Sequence, residues 1–482
     1  MRIFVAGATG FIGRALCLRL QRDGHEVVAW SRSPRRARAS LGAGPTIRGG
    51  DDAALVAALD GCDVVVNLAG ESVLPGRWTK ARKAALERSR VGFNHRIVAA
   101  MKAAARRPGA FVCASAVGFY GDGGDTILTE ASARGQGFLA ELCERWEASA
   151  QTAAPARVVH MRIGIVLGRS GGALAQMLPI ARAGLMGPMG SGRQYLPWIH
   201  LDDVVEAFVA AISDPRYAGP VNVVGPDPVP QAEFARALGR SVGRPAVLPA
   251  PAVAMRLALG EAAMALLDGQ RAYPARLKDL GFSFRHPTLD GALGAVVADP
   301  EGVEVRPFDG MLDMDVGLPY LRERAPTHEL RATQRVPLPL DEAWAFFSEP
   351  TNVGPLSPPD FGMELDPDVV TTTGARFTHH IRVGPVRVGW HGRFVTVEPG
   401  VRFVDVQDGG PWSCFWHEHR FEADGPDHTL LHDRVLLRPP AGPIGQVVFA
   451  LALKSKLFTL FAYRHEALRR RFGADEPRQA VA

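Results

Sequence analysis

From Met1 to about Pro300, short blocks of consecutive apolar residues alternate with longer stretches whose apolar positions recur every three or four residues. The blocks are Ile3–Ala6, Val27–Trp30, Val64–Leu68, Phe111–Ala114, Val158–Ile163 and Val221–Val224. Between them, Phe11–Arg22, Ala54–Leu59, Ala81–Ala105 and Phe138–Ala150 carry the helical period. A strand that is apolar on both faces must be covered on both, and helices crossing from strand to strand supply that cover. The pattern predicts an α/β fold with a doubly wound parallel sheet. After Pro300 the rhythm changes. Arg306-Pro307-Phe308-Asp309-Gly310 and Arg322-Glu323-Arg324-Ala325-Pro326 read as a connector over 301–327. From His328 a strand and a short helix, Leu340–Phe347, precede alternating runs at Phe377–Val383, Val388–Val397, Arg402–Val406, Trp416–Glu422 and Thr429–Leu437. One long helix over Ile444–Phe472 is expected to close this α+β part. The expected division is 1–227, a tail at 228–300, the connector at 301–327, and a second domain at 328–474.

The length, 482 residues, fits this division, since single cores rarely grow past about 250–300 residues. With 47% hydrophobic and 22% charged residues, the chain is not a disordered one. A net charge of +5 spread over this length is too small to argue for nucleic-acid binding. The five cysteines are scattered with no CxxC pair, which reads as reduced thiols in the cytoplasm and no metal site. The first strand begins at once, with no signal-peptide pattern before it. The apolar stretch Val447–Leu460 is broken by Lys454 and Lys456, so no membrane span is expected.

The most informative motif is Gly7-Ala8-Thr9-Gly10-Phe11-Ile12-Gly13, between the first strand and the first helix. Gly7 permits a tight turn, Gly10 lets the backbone approach a pyrophosphate, and Gly13 lets helix and strand pack closely. This is the dinucleotide fingerprint of a Rossmann sheet. An NAD site usually carries an acid at the end of the second strand, to bind the ribose 2′-hydroxyl. Here Ser31 and Arg32 stand there instead. A guanidinium suits a 2′-phosphate, so NADP(H) is the expected cofactor.

Together with Asn67-Leu68-Ala69-Gly70, Ala114–Asp122, Arg162–Gly168 and Trp198–Asp203, the motif resembles the extended short-chain dehydrogenase/reductase superfamily. More narrowly it is similar to the epimerase-like branch that carries a small C-terminal tail domain of unknown function. The resemblance implies that Asn67, Leu68, Ala69 and Gly70 line the cofactor and that substrate lies toward Gly190–His200. It also implies a Tyr and a Lys four residues later as the proton-transfer pair. None of the six tyrosines is followed by lysine at that spacing. Ser115 and Tyr120, at the end of the strand facing the nicotinamide, are the catalytic candidates that remain. Glu71, Arg77, Arg193 and His200 are the substrate-binding candidates, with Arg193 suited to clamping an anionic group. Asp202 or Asp203 is expected to cap the helix that follows His200.

Residues 328–473 resemble the START-like superfamily of polyketide cyclases and lipid-transfer proteins, a helix-grip fold. The resemblance rests on Asp341–Phe347, the curved strands and Trp416-His417-Glu418-His419-Arg420-Phe421 before the last helix. It implies an apolar cavity between sheet and helix. Trp344, Phe347, Phe377, Trp390, Phe415 and Phe461 are more aromatics than a core this small needs, so some of them are expected to line that cavity around an apolar ligand, with Arg393 and His417 as polar anchors. His417 and His419 share a strand face, but no third ligand is evident, so no metal is expected. The reading is an NADP-dependent oxidoreductase or epimerase of a small molecule with an appended apolar-ligand domain. A non-catalytic NADP(H) sensor and cyclase or hydratase chemistry in the C-terminal part are the alternatives.

Overall fold

The computed structural model describes residues 1–473 apart from 75, 170, 309, 311–316, 359–360, 362–363, 366–368, 384–385 and 450–452. Two compact units emerge, one of Met1–Pro34 with Pro45–Ala298, the other of Arg35–Gly44 with Asp299–Ala482.

The first unit is built on seven strands: β1 (Arg2–Ala6), β2 (Glu26–Trp30), β3 (Thr46–Arg48), β4 (Val64–Asn67), β5 (Ala110–Ala116), β6 (Arg157–Ile163) and β7 (Gly219–Val223). Their order is β7-β6-β5-β4-β1-β2-β3, and every neighbouring pair is parallel. The doubly wound parallel sheet expected from the apolar blocks is therefore present. Its order reverses between β1 and β4, the crevice where such sheets receive ligands. β3 has no apolar block of its own, with two half-buried residues and an exposed Arg48, and the hydropathy pattern missed it. The single helix expected over Ala81–Ala105 is instead Lys80–Glu87 and Phe93–Ala103, joined by a π-helical turn at Arg88–Gly92. The tail folds onto the same unit, its helices Gln231–Ser241 and Leu289–Val297 sharing a core of Phe234, Leu238, Leu293 and Val296 with Trp198.

The second unit holds an eight-stranded antiparallel sheet: β8 (Val303–Pro307), β9 (His328–Val336), β10 (Glu364–Leu365), β11 (Arg376–Val383), β12 (Val386–Glu398), β13 (Arg402–Gly409), β14 (Cys414–Ala423) and β15 (Thr429–Arg438). The order is β8-β9-β15-β14-β13-β12-β11-β10. Among its described residues, the connector expected over 301–327 holds a strand and a helix. Its β8 pairs with β9, and Arg306 on β8 joins Arg331 and Arg434 around the Glu329 carboxylate, 1% exposed, at 2.8, 2.9 and 2.7 Å. Its helix Leu318–Glu323 places Tyr320 and Leu321 against Val404, Val406, Trp416 and Leu436 on one face of the sheet. The opposite face packs on Leu457 and Phe461 of the helix Lys454–Phe472 through Leu330, Val435 and Leu437. The closing helix expected over Ile444–Phe472 is helical at Gly442–Val448 and from Lys454; its residues 450–452 lie outside the described residues.

Candidate dinucleotide site

β1 ends at Ala6, and Gly7 turns the chain with φ +77°, a left-handed conformation that glycine adopts without a steric penalty. A Cβ at Gly7 would lie 2.6 Å from the Leu68 carbonyl carbon, and one at Gly13 only 2.1 Å from the Gly7 oxygen. These two glycines thus bring the loop against the end of β4 and seat the helix Phe11–Arg22 on β1. The helix has Gly10 as its N-cap, no side-chain cap and no acid in its first turn. Its leading N–H groups and positive end are left for an anion, as a pyrophosphate requires. The cradle fits the phosphates of a dinucleotide.

The loop after β4 is set from behind. Asn67 is fully buried; its Oδ1 accepts from the Ala69 amide at 3.0 Å, and its Nδ2 donates to Asn94 Oδ1 at 2.8 Å. Asn94 Nδ2 donates in turn to Trp146 O and to Ser149 Oγ. The Asn67 side chain thus shapes the Leu68–Gly70 segment from inside the fold. At the end of β2, Ser31 accepts from the Ser33 amide at 3.1 Å and Arg32 is exposed, an arrangement open to a 2′-phosphate.

Ser115 and Tyr120 join one buried network. Ser115 Oγ donates to Glu147 Oε1 at 2.7 Å. Glu147, on the helix Phe138–Gln151, pairs with Arg162 of β6 through two bonds of 2.8 Å. Arg162 Nη1 donates to the Tyr120 oxygen at 2.9 Å, and that hydroxyl donates to Asn222 Oδ1 of β7 at 2.7 Å. Burial raises the Tyr120 pKa, against the lowering effect of Arg162. For Arg162 burial works against the charged form, but Glu147 and Tyr120 outweigh it and its pKa is raised. Proton transfer by either hydroxyl would have to pass through these bonds.

Glu147, Arg162 and Asn222 received no role from the sequence. Arg162 and Glu147 carried a usable signal, each being a charge embedded in an apolar block or apolar helix face. Arg90 was also missed: its guanidinium carbon would lie 3.3 Å from a Cβ at Gly70, it donates to Glu71 O at 2.8 Å, and burial lowers its pKa.

The substrate-binding candidates each bond to other groups. Glu71 pairs with Arg82, exposed Arg77 donates to the Ala258 and Leu257 carbonyls, and Arg193 is exposed with its amide bonded to Ser191 Oγ. His200, not Asp202 or Asp203, is the N-cap of the helix Leu201–Ser213; its Nδ1 accepts from the Asp202 amide at 3.1 Å. Asp203 lies within the first turn and accepts from the Arg285 and His286 amides at 2.7 and 3.2 Å, tying the tail down. The helix starts earlier than expected because an imidazole nitrogen can accept from the N–H two residues on, as a carboxylate does. The cysteines are free and buried, and burial pushes the Cys17, Cys113, Cys143 and Cys414 thiols up to about 12. Among the described residues, no helix is long and apolar enough to cross a membrane.

Comparison with known proteins agrees with this geometry. Residues 3–225 match the NAD dependent epimerase/dehydratase family, and residues 250–296 match a domain of unknown function, DUF1731. The chain is 38% identical over 302 residues to the epimerase family protein SDR39U1 homolog, chloroplastic, of Arabidopsis thaliana, covering 62% of this chain and 87% of that protein. It is 34% identical over 316 residues to the epimerase family protein YfhF of Bacillus subtilis, covering 63% of this chain and all of that one, 100%. The crystal structure of human epimerase family protein SDR39U1 with NADPH superposes with a TM-score of 0.57 at 36% identity, over 62% of this chain and 99% of that chain. Through its seven-stranded unit and tail, the chain belongs to the NAD dependent epimerase/dehydratase family.

Proposed function

We propose that the seven-stranded unit binds NADP(H) in preference to NAD(H) and works as an oxidoreductase or epimerase of a small, partly apolar molecule. The observation that carries this reading is the pairing of the uncapped glycine cradle with exposed Arg32 at the end of β2. The human relative solved with NADPH supports the choice of cofactor. Gly7, Gly10 and Gly13 hold the pyrophosphate, Arg32 and Ser31 the 2′-phosphate, and Leu68–Gly70 border the cofactor. When bound, the dinucleotide supplies or accepts a hydride. Ser115 and Tyr120 then serve as hydroxyl donors to a substrate oxygen, with Glu147–Arg162 holding both in place. Fluorescence titration tests the cofactor: NADPH is expected to bind at least about tenfold more tightly than NADH, and Arg32→Asp to remove that preference. Equal affinities in the parent protein overturn it. Once screening of carbonyl compounds against NADPH oxidation yields a substrate, Tyr120→Phe is expected to lower kcat about 10²–10⁴-fold.

A second reading, an NADP(H) sensor without turnover, is favoured by one observation: both hydroxyls are already bonded within the Glu147–Arg162 network. In that case no carbonyl compound supports NADPH oxidation, while the titration is unchanged. For the eight-stranded unit, we read a START-like ligand domain. The order of its antiparallel strands, the helix against one face and the contacts of Trp344 with Phe421 and of Trp390 with Phe415 support this. Arg393, expected as an anchor, is paired with Asp408 at 3.0 Å. Fatty acids or polycyclic aromatics are expected to raise the melting temperature of the full chain; no rise with any of them counts against the ligand domain.

A further inference from the structure

We propose that Asp405, His417 and His419 form a binding site for a divalent first-row transition-metal ion, with Asp433 orienting both imidazoles. The residues come from three adjacent strands. In the β13–β14 ladder Asp405 stands opposite His417, and in the β14–β15 ladder His419 stands opposite Asp433. Side-chain alternation puts all four on one sheet face, the one that meets the helix Lys454–Phe472. All four are buried or nearly so.

The hydrogen bonds decide which imidazole nitrogens remain for a ligand. His417 Nε2 lies 2.9 Å and His419 Nδ1 2.8 Å from the same oxygen, Asp433 Oδ1. A carboxylate accepts, so each ring carries its hydrogen on that side and turns its other nitrogen toward Asp405. This is the carboxylate–histidine arrangement that fixes tautomer and ring orientation in metal sites. The inward nitrogens, His417 Nδ1 and His419 Nε2, each stand 4.0 Å from Asp405 Oδ1. That is too long for a hydrogen bond. Ligands about 2.0–2.2 Å from one ion lie about 3.0–3.6 Å apart, so Asp405 is within a few tenths of an ångström of that spacing from each ring. One donor atom from each of the three residues already lies within 4.8 Å of the others.

Charge points the same way. Two buried carboxylates face one guanidinium, Arg464, whose Nη1 is 3.0 Å from Asp433 Oδ1. Two imidazoles and one carboxylate suit zinc, iron or cobalt better than magnesium or calcium. A recess lined in part by Phe347, Phe421, Leu431 and Arg464 opens beside His419 and Asp433. The other trio of this kind among the described residues, His200, Asp202 and His286, is explained by His200 Nδ1 capping its helix.

The test uses the full chain, freed of metal by a chelator and titrated with Co²⁺ by visible absorption and calorimetry. One ion per chain with a ligand-field band that Zn²⁺ displaces is expected. Asp405→Asn should weaken Co²⁺ binding at least about 100-fold, Asp433→Asn about 10–100-fold, and His286→Gln not at all. If circular dichroism finds Asp405→Asn unfolded, His419→Gln takes its place with the same expectation. A parent protein without the band, or an Asp405→Asn variant with parental affinity, overturns the proposal. So does loss of binding in His286→Gln.

Discussion

In the seven-stranded sheet every pair of neighbours is parallel, so all seven strands end at one edge, and the glycine loop, the Leu68–Gly70 segment and Ser115 gather there. In the eight-stranded unit neighbours run antiparallel, successive ends fall at opposite edges, and Asp405, His417, His419 and Asp433 meet in mid-strand on one face. The first arrangement offers a ligand main-chain N–H groups and a helix end. The second offers side chains at alternate positions of three strands. A site of the first kind depends on how closely backbone can approach backbone. One of the second kind depends on register, because a slip of one residue would turn its side chains to the other face.

The comparison breaks most sharply at Gly13. Since a Cβ there meets the Gly7 oxygen at 2.1 Å, Gly13→Ala must push the helix off β1. NADPH affinity is expected to fall at least about 1,000-fold, about 4 kcal/mol, by fluorescence titration. A near-parental affinity would mean that the main chain is not the ligand. Next comes Arg162→Leu, which leaves Glu147 buried without its partner, the two side chains being 5% and 12% exposed. A loss of about 3 kcal/mol in denaturant unfolding is expected, and a change below about 1 kcal/mol would make the pair incidental.

The Glu329 cluster sharpens the same point in the antiparallel unit. Burial pushes this carboxyl up, but bonds from Arg306, Arg331 and Arg434 outweigh it and hold its pKa below the ordinary value. Its contribution to stability is therefore complete above the unfolded carboxylate pKa of about 4.3, and is lost as pH falls through the lower folded value. Glu329→Gln should cost about 2 kcal/mol near pH 7, allowing for the partial exposure of Arg306 and Arg331. It should also flatten that acid limb of the stability profile; an unchanged limb assigns the loss to other groups. Smallest is Ser115→Ala, about 1 kcal/mol in unfolding with NADPH binding retained. A large loss of NADPH affinity instead would place the hydroxyl at the cofactor.

The parallel sheet and its cradle were legible in the residues because their causes are local. Apolar blocks make doubly covered strands, and Gly7, Gly10 and Gly13 are spaced by the geometry of one strand, turn and helix. Local signals failed where the cause was distant. β3 and β8 exist because neighbouring strands offer them a ladder, not because of their own pattern. His200 became the helix cap because its ring reached the Asp202 amide before either aspartate could take that place. The sequence by itself determined the fold class of the first unit, the cofactor cradle and the strand-rich character of the second. Only the tertiary structure decided that Ser115 and Tyr120 share one ion pair, and that Asp405 and Asp433 come to the two histidines. Those meetings join residues 12 to 42 positions apart, and sheet order and register, which no local periodicity encodes, bring them together.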